Sequence, residues 1–178
     1  MSQPDYQTNL SEAAAQLAAI LLESRRDRIV LAESCTAGLA SAALAATPGI
    51  SQYLCGSFVT YRESAKTEWL GIEPQLLAAH TAVSAQASEQ MARNSLLRTH
   101  EANWSAAVTG HLGPDAPPEI DGQVFIAIAY RIADDRLRLE SSFERLHELE
   151  RVPRQYEAAT FVINELLRRL RTHRPVEK

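Results

Sequence analysis

The run Val124-Phe125-Ile126-Ala127-Ile128-Ala129-Tyr130 is unbroken and apolar. Successive strand residues point to opposite faces, so a strand apolar at every position has to be covered on both sides. This segment predicts a central strand with one layer above it and another below. Shorter apolar runs supply its neighbours: Arg28 to Ala32, Gly56 to Tyr61 and Ser105 to Val108. Arg136-Leu137-Arg138-Leu139-Glu140 alternates strictly, which predicts a strand with one wet face, paired to the central one as a hairpin across Asp134-Asp135.

Helical patterns fall between these runs. Leu10, Ala14, Leu17 and Leu21 recur at helical spacing, predicting a helix from about Ser11 to Ser24 with Asn9 or Ser11 as its N-cap, after a frayed start over residues 1–8. A second helix from Leu39 should stop near Thr47-Pro48-Gly49. Further helices are expected over Glu63–Leu70, closed by Gly71, over Pro74–His80 and over Ser84–His100. The loop from His111 to Asp121 holds Pro114, Pro117 and Pro118 and is not regular structure. A last helix begins near Pro153 and buries Ala159, Val162, Ile163, Leu166 and Leu170, with a loose charged tail over residues 171–178. With no repeat or linker, the expectation is one domain over 1–178 with an ordered core of about 10–170. Its class is α/β: a three-layer α/β/α sandwich with a mixed, mostly parallel sheet.

Net charge -4 and a pI near 5.7 give no basic footprint for nucleic acid or an anionic membrane surface. No apolar run nears the roughly 20 residues of a membrane span, and the start lacks the pattern of a secretory signal. Cys35 and Cys55 form no zinc spacing or disulfide framework, so a reducing, cytoplasmic setting is expected. The five histidines show no ligand spacing, so no metal is expected.

Chemistry concentrates at Glu33-Ser34-Cys35-Thr36-Ala37-Gly38, where the first apolar strand turns into a helix. Such a turn puts small polar groups at the carboxyl edge of a sheet and at the positive end of a helix. Ser34 is then a candidate nucleophile, and the backbone N–H groups of Cys35, Thr36 and Ala37 are candidate oxyanion donors. Cys35 is a rival nucleophile, although no histidine lies near it in sequence. Glu33 should point to the opposite face and act structurally. Taken singly, the plainer readings hold: a helix N-cap for Ser34 or Thr36, a solvated charge for Lys66 and a core aromatic for Tyr61.

Three segments taken together change that balance: Glu33 to Gly38; Val59-Thr60-Tyr61-Arg62-Glu63-Ser64-Ala65-Lys66 followed by Leu70-Gly71-Ile72; and Ala82-Val83-Ser84 with Val108-Thr109-Gly110-His111-Leu112-Gly113-Pro114. In order and spacing the chain resembles the CinA C-terminal domain, the nicotinamide-nucleotide amidohydrolase family, over about residues 10–170. The resemblance implies a three-layer domain similar to anticodon-binding domains, commonly a homodimer. It implies hydrolysis of nicotinamide mononucleotide to nicotinate mononucleotide and ammonia without a cofactor. Some members also carry a separate N-terminal domain, which is not expected within these 178 residues. By the family pattern Ser34 is the nucleophile and Tyr61 and Lys66 handle protons, with Tyr61 placed to relay between the other two. Thr109 belongs to the ligand site, and Gly38 and Gly110 lie beside the substrate.

The chain departs from that pattern at three places. Ala37 stands where the family has glycine, a change suited to helical geometry but not to a left-handed one. The glycine-rich run after Pro114 is replaced by Asp115-Ala116-Pro117-Pro118-Glu119-Ile120-Asp121, which trades amide donors for prolines and carboxylates. The G-D-R segment, aligned without gaps, reads Arg145-Leu146-His147, putting His147 at the ligand arginine, with Arg145 or Arg151 as substitutes. Two expectations follow. One is a nicotinamide mononucleotide amidohydrolase. The other is a diverged member that binds a small molecule or cleaves a carboxamide lacking a phosphate.

Overall fold

A computed structural model describes residues 6–132 and 136–173. In chain order the elements are α1 (Tyr6–Ser24), β1 (Ile29–Glu33), α2 (Leu39–Ala45), a 3-10 turn (Ile50–Gln52), β2 (Leu54–Val59), α3 (Glu63–Leu70), α4 (Pro74–His80), α5 (Ala85–Arg98), β3 (Trp104–Gly110), β4 (Gln123–Arg131), β5 (Leu137–Arg145) and α6 (Arg151–His173). The strands form one sheet in the order β2-β1-β3-β4-β5. The β1 strand pairs parallel with β2 and β3, whereas β3–β4 and β4–β5 are antiparallel. The sheet is mixed, as expected, but not mostly parallel: β3, β4 and β5 each pair with their neighbour in the chain, which gives two antiparallel pairs beside the two parallel ones.

Strand alternation splits the interior in two. Ile29 and Leu31 of β1, with Ile126 and Ile128 of β4, face a core completed by α1, α2 and α6. Val30, Ala32, Ala107, Ala127 and Ala129 face the other way, against α3, α4 and α5. The alanines on this second face admit α5 closely, and it meets them with Ala87, Met91 and Ala92. A polar pair sits inside that contact, where the hydroxyls of Ser95 and Ser105 lie 2.7 Å apart and satisfy each other. The segment expected at the centre is β4, which is interior but next to the edge strand, the middle place falling to β3. It is buried at Val124, Ile126, Ala127, Ile128, Ala129 and Tyr130, the two-sided covering that its sequence requires.

Several boundaries differ from the sequence-based expectations for local reasons. α1 starts at Tyr6 rather than near Ser11, because its first turn reaches α6, where Gln7 donates to the Tyr156 hydroxyl. β2 ends at Val59, opposite Glu33 in β1, and Thr60 then turns towards α3. β5 runs to Arg145 and pairs along all of β4. α6 continues through Arg171 to His173, where the Tyr130 hydroxyl and His173 Nε2 are 2.7 Å apart. The hairpin tip at Asp134-Asp135 and the tail from residue 174 lie outside the described residues. No helix among the described residues is long and apolar enough to cross a membrane.

The turn between β1 and α2 carries backbone strain. Ala37 has φ of 52°, and Gly38 after it has φ of 96°. A β-carbon in the left-handed region costs about 1 kcal/mol relative to glycine. Ala37→Gly is therefore expected to stabilise the fold by roughly 0.5–1 kcal/mol, read as a rise of about 1–4 °C in thermal midpoint.

Candidate active site

Five groups converge on the Glu33 carboxylate at the end of β1. Oε2 accepts from Thr36 Oγ1 at 2.8 Å, Gly38 N at 3.1 Å and Ala40 N at 3.0 Å, while Oε1 accepts from Ser41 N at 3.0 Å and Ser57 Oγ at 3.1 Å. Ala40 and Ser41 are in the first turn of α2, where N–H groups have no partner inside the helix. Gly38, the residue at the cap position, has no side chain to offer them. Glu33 thus caps α2 from the neighbouring strand, and its negative charge lies at the positive end of the helix. Because Glu33 and Thr36 are engaged with each other, Ser34 is released from capping duty. Its N–H donates to Val108, its carbonyl accepts from Ala37, and the buried residue lines a cleft.

The partner of that hydroxyl comes from α3. Lys66 is 1% exposed, with Nζ 2.7 Å from Ser34 Oγ and 2.7 Å from the Thr60 carbonyl. The sequence places it there because Lys66 and Leu70, one turn apart, form the inward stripe of α3, and Gly71 (φ 68°) stops the helix. Burial disfavours the ammonium form, and the amine's pKa falls from the ordinary 10.5 to about 8. Cys35, next to the nucleophile, is buried as well, and burial pushes its thiol up to about 12, which removes it as a rival thiolate at neutral pH.

Ser34, Cys35 and Lys66 open onto a cleft of about 450 Å³ at the carboxyl edge of β1 and β3. Thr109 and Gly110 line it, as anticipated, and Thr109 donates its hydroxyl to the Ala82 carbonyl at 2.9 Å, tying the Ala82–Val83 wall to β3. Tyr61 stands at the rim and is 54% exposed. Its hydroxyl accepts from Arg151 at 2.7 Å and makes no hydrogen bond to Ser34 or Lys66, so the expected relay is not formed and the lysine meets the serine directly. Thr36, Ala37 and Gly38 sit behind the cleft; they shape the turn and do not line it. Among the described residues no protein oxygen accepts the amide hydrogens of Cys35 and Thr36, which lie within reach of the Cys35 sulfur, whereas the Ala37 amide is committed to Ser34.

Two expected ligand residues are elsewhere. Arg145 donates to the carbonyls of Asp121 (3.2 Å) and Glu119 (3.0 Å) and braces the proline-rich loop from outside. His147 lines a separate cavity between α1 and α6, its Nδ1 2.6 Å from Glu157, whose carboxylate holds it above its ordinary pKa. The arginine that does reach the Ser34 cleft is Arg151, fixed by the Tyr61 hydroxyl and by the Gly113 carbonyl at 2.6 Å. Sequence reasoning ranked it only as a substitute, and it left out Glu63, His111, Asp115 and Pro117, which also line the cleft. The signal for Asp115 and Pro117 was their place in the segment that replaces the glycine run, and for His111 its place directly after Thr109-Gly110. Burial lowers the His111 pKa, which favours its neutral imidazole. Among the described residues no group of three or more His, Cys, Asp or Glu side chains gathers to hold a metal ion.

A mixed sheet between helical layers, with a cleft at the carboxyl edge of its parallel strands, defines an α/β protein whose site lies where such sheets bind ligands. The chain belongs to the CinA C-terminal domain family, whose model matches residues 11–168. It is 35% identical over 147 residues to a CinA-like protein of Anaeromyxobacter sp. (strain K), covering 75% of this chain and 36% of that one. A CinA-like protein of Mycobacterium tuberculosis is 44% identical over 99 residues, covering 56% of this chain and 22% of its own length. The chain spans about a third or less of the curated relatives it matches. Among solved structures, the competence damage-inducible protein A of Klebsiella pneumoniae superposes with a TM-score of 0.83 at 26% identity, covering 93% of this chain and 99% of that one. The competence/damage inducible protein of Agrobacterium tumefaciens gives 0.79 at 29% identity, covering 96% and 99%.

The buried amine generates a stability prediction. Lys66 binds its proton less tightly folded, with a pKa of about 8, than unfolded at 10.5. Between those values the unfolded chain holds more protons, so stability rises with pH. The wild type should gain roughly 3 kcal/mol over Lys66→Met from pH 8 to 10.5, in denaturant titrations across that range, with a constant difference below pH 8. A flat difference throughout would contradict the lowered pKa. Glu33→Ala, which strands the α2 amides and two hydroxyls, should cost about 3 kcal/mol or more at pH 7 in the same assay.

Proposed function

We propose that this chain hydrolyses a carboxamide through a Ser34–Lys66 pair, and that nicotinamide mononucleotide is its substrate. The observation that carries the reading is the 2.7 Å contact between Ser34 Oγ and a lysine amine that burial has shifted towards neutrality. A serine hydroxyl is a weak nucleophile until a neighbouring base takes its proton, and a desolvated lysine is such a base. With one N–H kept on the Thr60 carbonyl, the neutral amine turns its lone pair to the Ser34 hydroxyl.

The steps balance within these residues. Lys66 takes the Ser34 proton as Oγ bonds to the amide carbon, and the carbonyl oxygen becomes an oxyanion. The Cys35 amide, on the cleft side of the turn, supplies a hydrogen bond to it, worth a few kcal/mol in a dry site. The carbon–nitrogen bond then breaks as Lys66 returns the proton to the nitrogen, which leaves as ammonia. Water, deprotonated by the same amine, cleaves the ester and restores Ser34. Arg151, at the mouth of the cleft, supplies the cation for a phosphate. The family resemblance supplies the choice of nucleotide, and the arginine supports it.

One feature favours a second reading, in which the natural carboxamide carries no phosphate. Glu63 and Asp115 line the same cleft, so Arg151 stands against two carboxylates there, and Pro117 offers no amide hydrogen. Comparing nicotinamide mononucleotide with its dephosphorylated riboside separates the two. The nucleotide reading predicts a kcat/KM at least about tenfold higher for the phosphorylated compound, the effect of one charge-assisted contact; equal or reversed values favour the second reading.

Ammonia and acid release from nicotinamide mononucleotide tests the proposal as a whole. Ser34→Ala and Lys66→Arg should each lose about 10³-fold or more in kcat, the arginine because it stays charged. Log(kcat/KM) for the wild type should climb with pH and level off above about 8, as Lys66 deprotonates. Wild-type turnover no greater than that of Ser34→Ala would overturn the assignment for this substrate.

A further inference from the structure

Arg154 is a charged residue that the proposed mechanism does not use, yet it is only 6% exposed. Nη1 and Nη2 of its guanidinium donate to Asp121 Oδ1 and Oδ2, each at 2.7 Å, and Nε donates to the Glu148 carbonyl at 2.7 Å. A bidentate pair with a third bond fixes the plane of the guanidinium as well as its position. Gly113 packs directly on it. A β-carbon at Gly113 would lie 2.7 Å from Arg154 Nη1 and 3.2 Å from Asp121 Oδ1, and the residue has φ of 66°. The backbone of the 111–122 loop is therefore pressed onto the Arg154–Asp121 pair at the point where its carbonyl turns to Arg151.

Arg151 itself is exposed and belongs to the cleft. An arginine held by nothing loses rotamer freedom when it grips a ligand, which weakens binding. Here two contacts fix it in advance, the Gly113 carbonyl and the Tyr61 hydroxyl. The first of these is made by the residue that packs on the Arg154–Asp121 pair.

From this geometry we infer that Arg154 is a positioning residue: with Asp121 it clamps Gly113, and through the Gly113 carbonyl it presets Arg151 to receive the anionic end of the substrate. The inference rests on the nucleotide reading above. It gives the rewritten loop a role, since Asp121 is the last residue of the segment that replaces the glycine run, and it locates substrate affinity in a pair that touches no substrate. The guanidinium holds the Asp121 carboxyl below its ordinary pKa, so the clamp stays charged at neutral pH. Preorganisation of this kind acts on binding and leaves the Ser34–Lys66 step alone.

Steady-state kinetics with nicotinamide mononucleotide, together with calorimetric titration of the same nucleotide into Ser34→Ala, tests the clamp. Arg154→Met and Gly113→Ala should each raise KM by about tenfold while kcat stays within about threefold of wild type. Arg154→Lys, keeping one bond to Asp121, should fall between. In an Arg151→Met background, Arg154→Met should change KM by less than about twofold, because the residue it positions has gone. Circular dichroism and thermal melts show whether each variant is folded, and the lysine variant covers the case of a methionine variant that is not. A fall in kcat with unchanged KM, or a full tenfold KM effect in the Arg151→Met background, overturns the inference. If the wild type binds the nucleotide without cleaving it, amide hydrolysis fails but the clamp does not, and calorimetric Kd values in the Ser34→Ala background replace KM in the same comparison. Absence of binding by both proteins overturns the clamp together with the nucleotide reading.

Discussion

The Glu33 carboxylate organises the site. A strand that turns into a helix leaves the first helical N–H groups in need of acceptors, and the usual donors of such acceptors are small polar residues at the turn itself. Glu33 meets that need from inside the sheet, taking the amides of Gly38, Ala40 and Ser41 and the hydroxyls of Thr36 and Ser57. Ser34 is thereby left with a hydroxyl that has no structural duty. The same turn follows a left-handed path through Ala37 and Gly38, so the local strain lies within a few residues of the serine.

The lysine opposite has the reverse character. Its burial opposes the charge it would carry in water, a stability cost accepted at one position within a well-packed interior. The Thr60 carbonyl, brought into place where β2 ends level with Glu33, gives the amine a fixed hydrogen-bond partner and leaves Ser34 as the second. Reactivity and destabilisation therefore come from the same desolvation, a trade-off common at active sites.

Much of this was legible in the sequence. Val124 to Tyr130 required covering on both faces, and it is the central strand of the antiparallel half; the polar motif after Ile29-Val30-Leu31 marked the serine. The Ser34–Lys66 contact was visible only through the resemblance, since nothing in spacing alone joins residues that are 32 apart in the chain. The direction of the Tyr61 hydroxyl, towards Arg151, was not legible, because proximity to Lys66 in sequence says nothing of where the ring points after the strand ends. The places of Arg145 and His147 outside the cleft were not legible in a gap-free alignment. β5 extends to Arg145 along all of β4, which carries that arginine to the outside of the loop and hands His147 to Glu157. The first turn of α6 then presents Arg151 to the cleft, a placement set by the hairpin length and by no local motif.

The central claim is that Ser34 forms a covalent bond to the acyl group of a carboxamide with Lys66 as its base. Acid-quenching the enzyme during its first turnovers with nicotinamide mononucleotide, and mapping the acyl mass by peptide mass spectrometry, addresses that bond directly. The account predicts an acyl adduct on Ser34, forming faster as pH rises towards 8 and absent from Lys66→Arg. Ammonia release with Ser34 unmodified at every time point, or an adduct on Cys35, would contradict it.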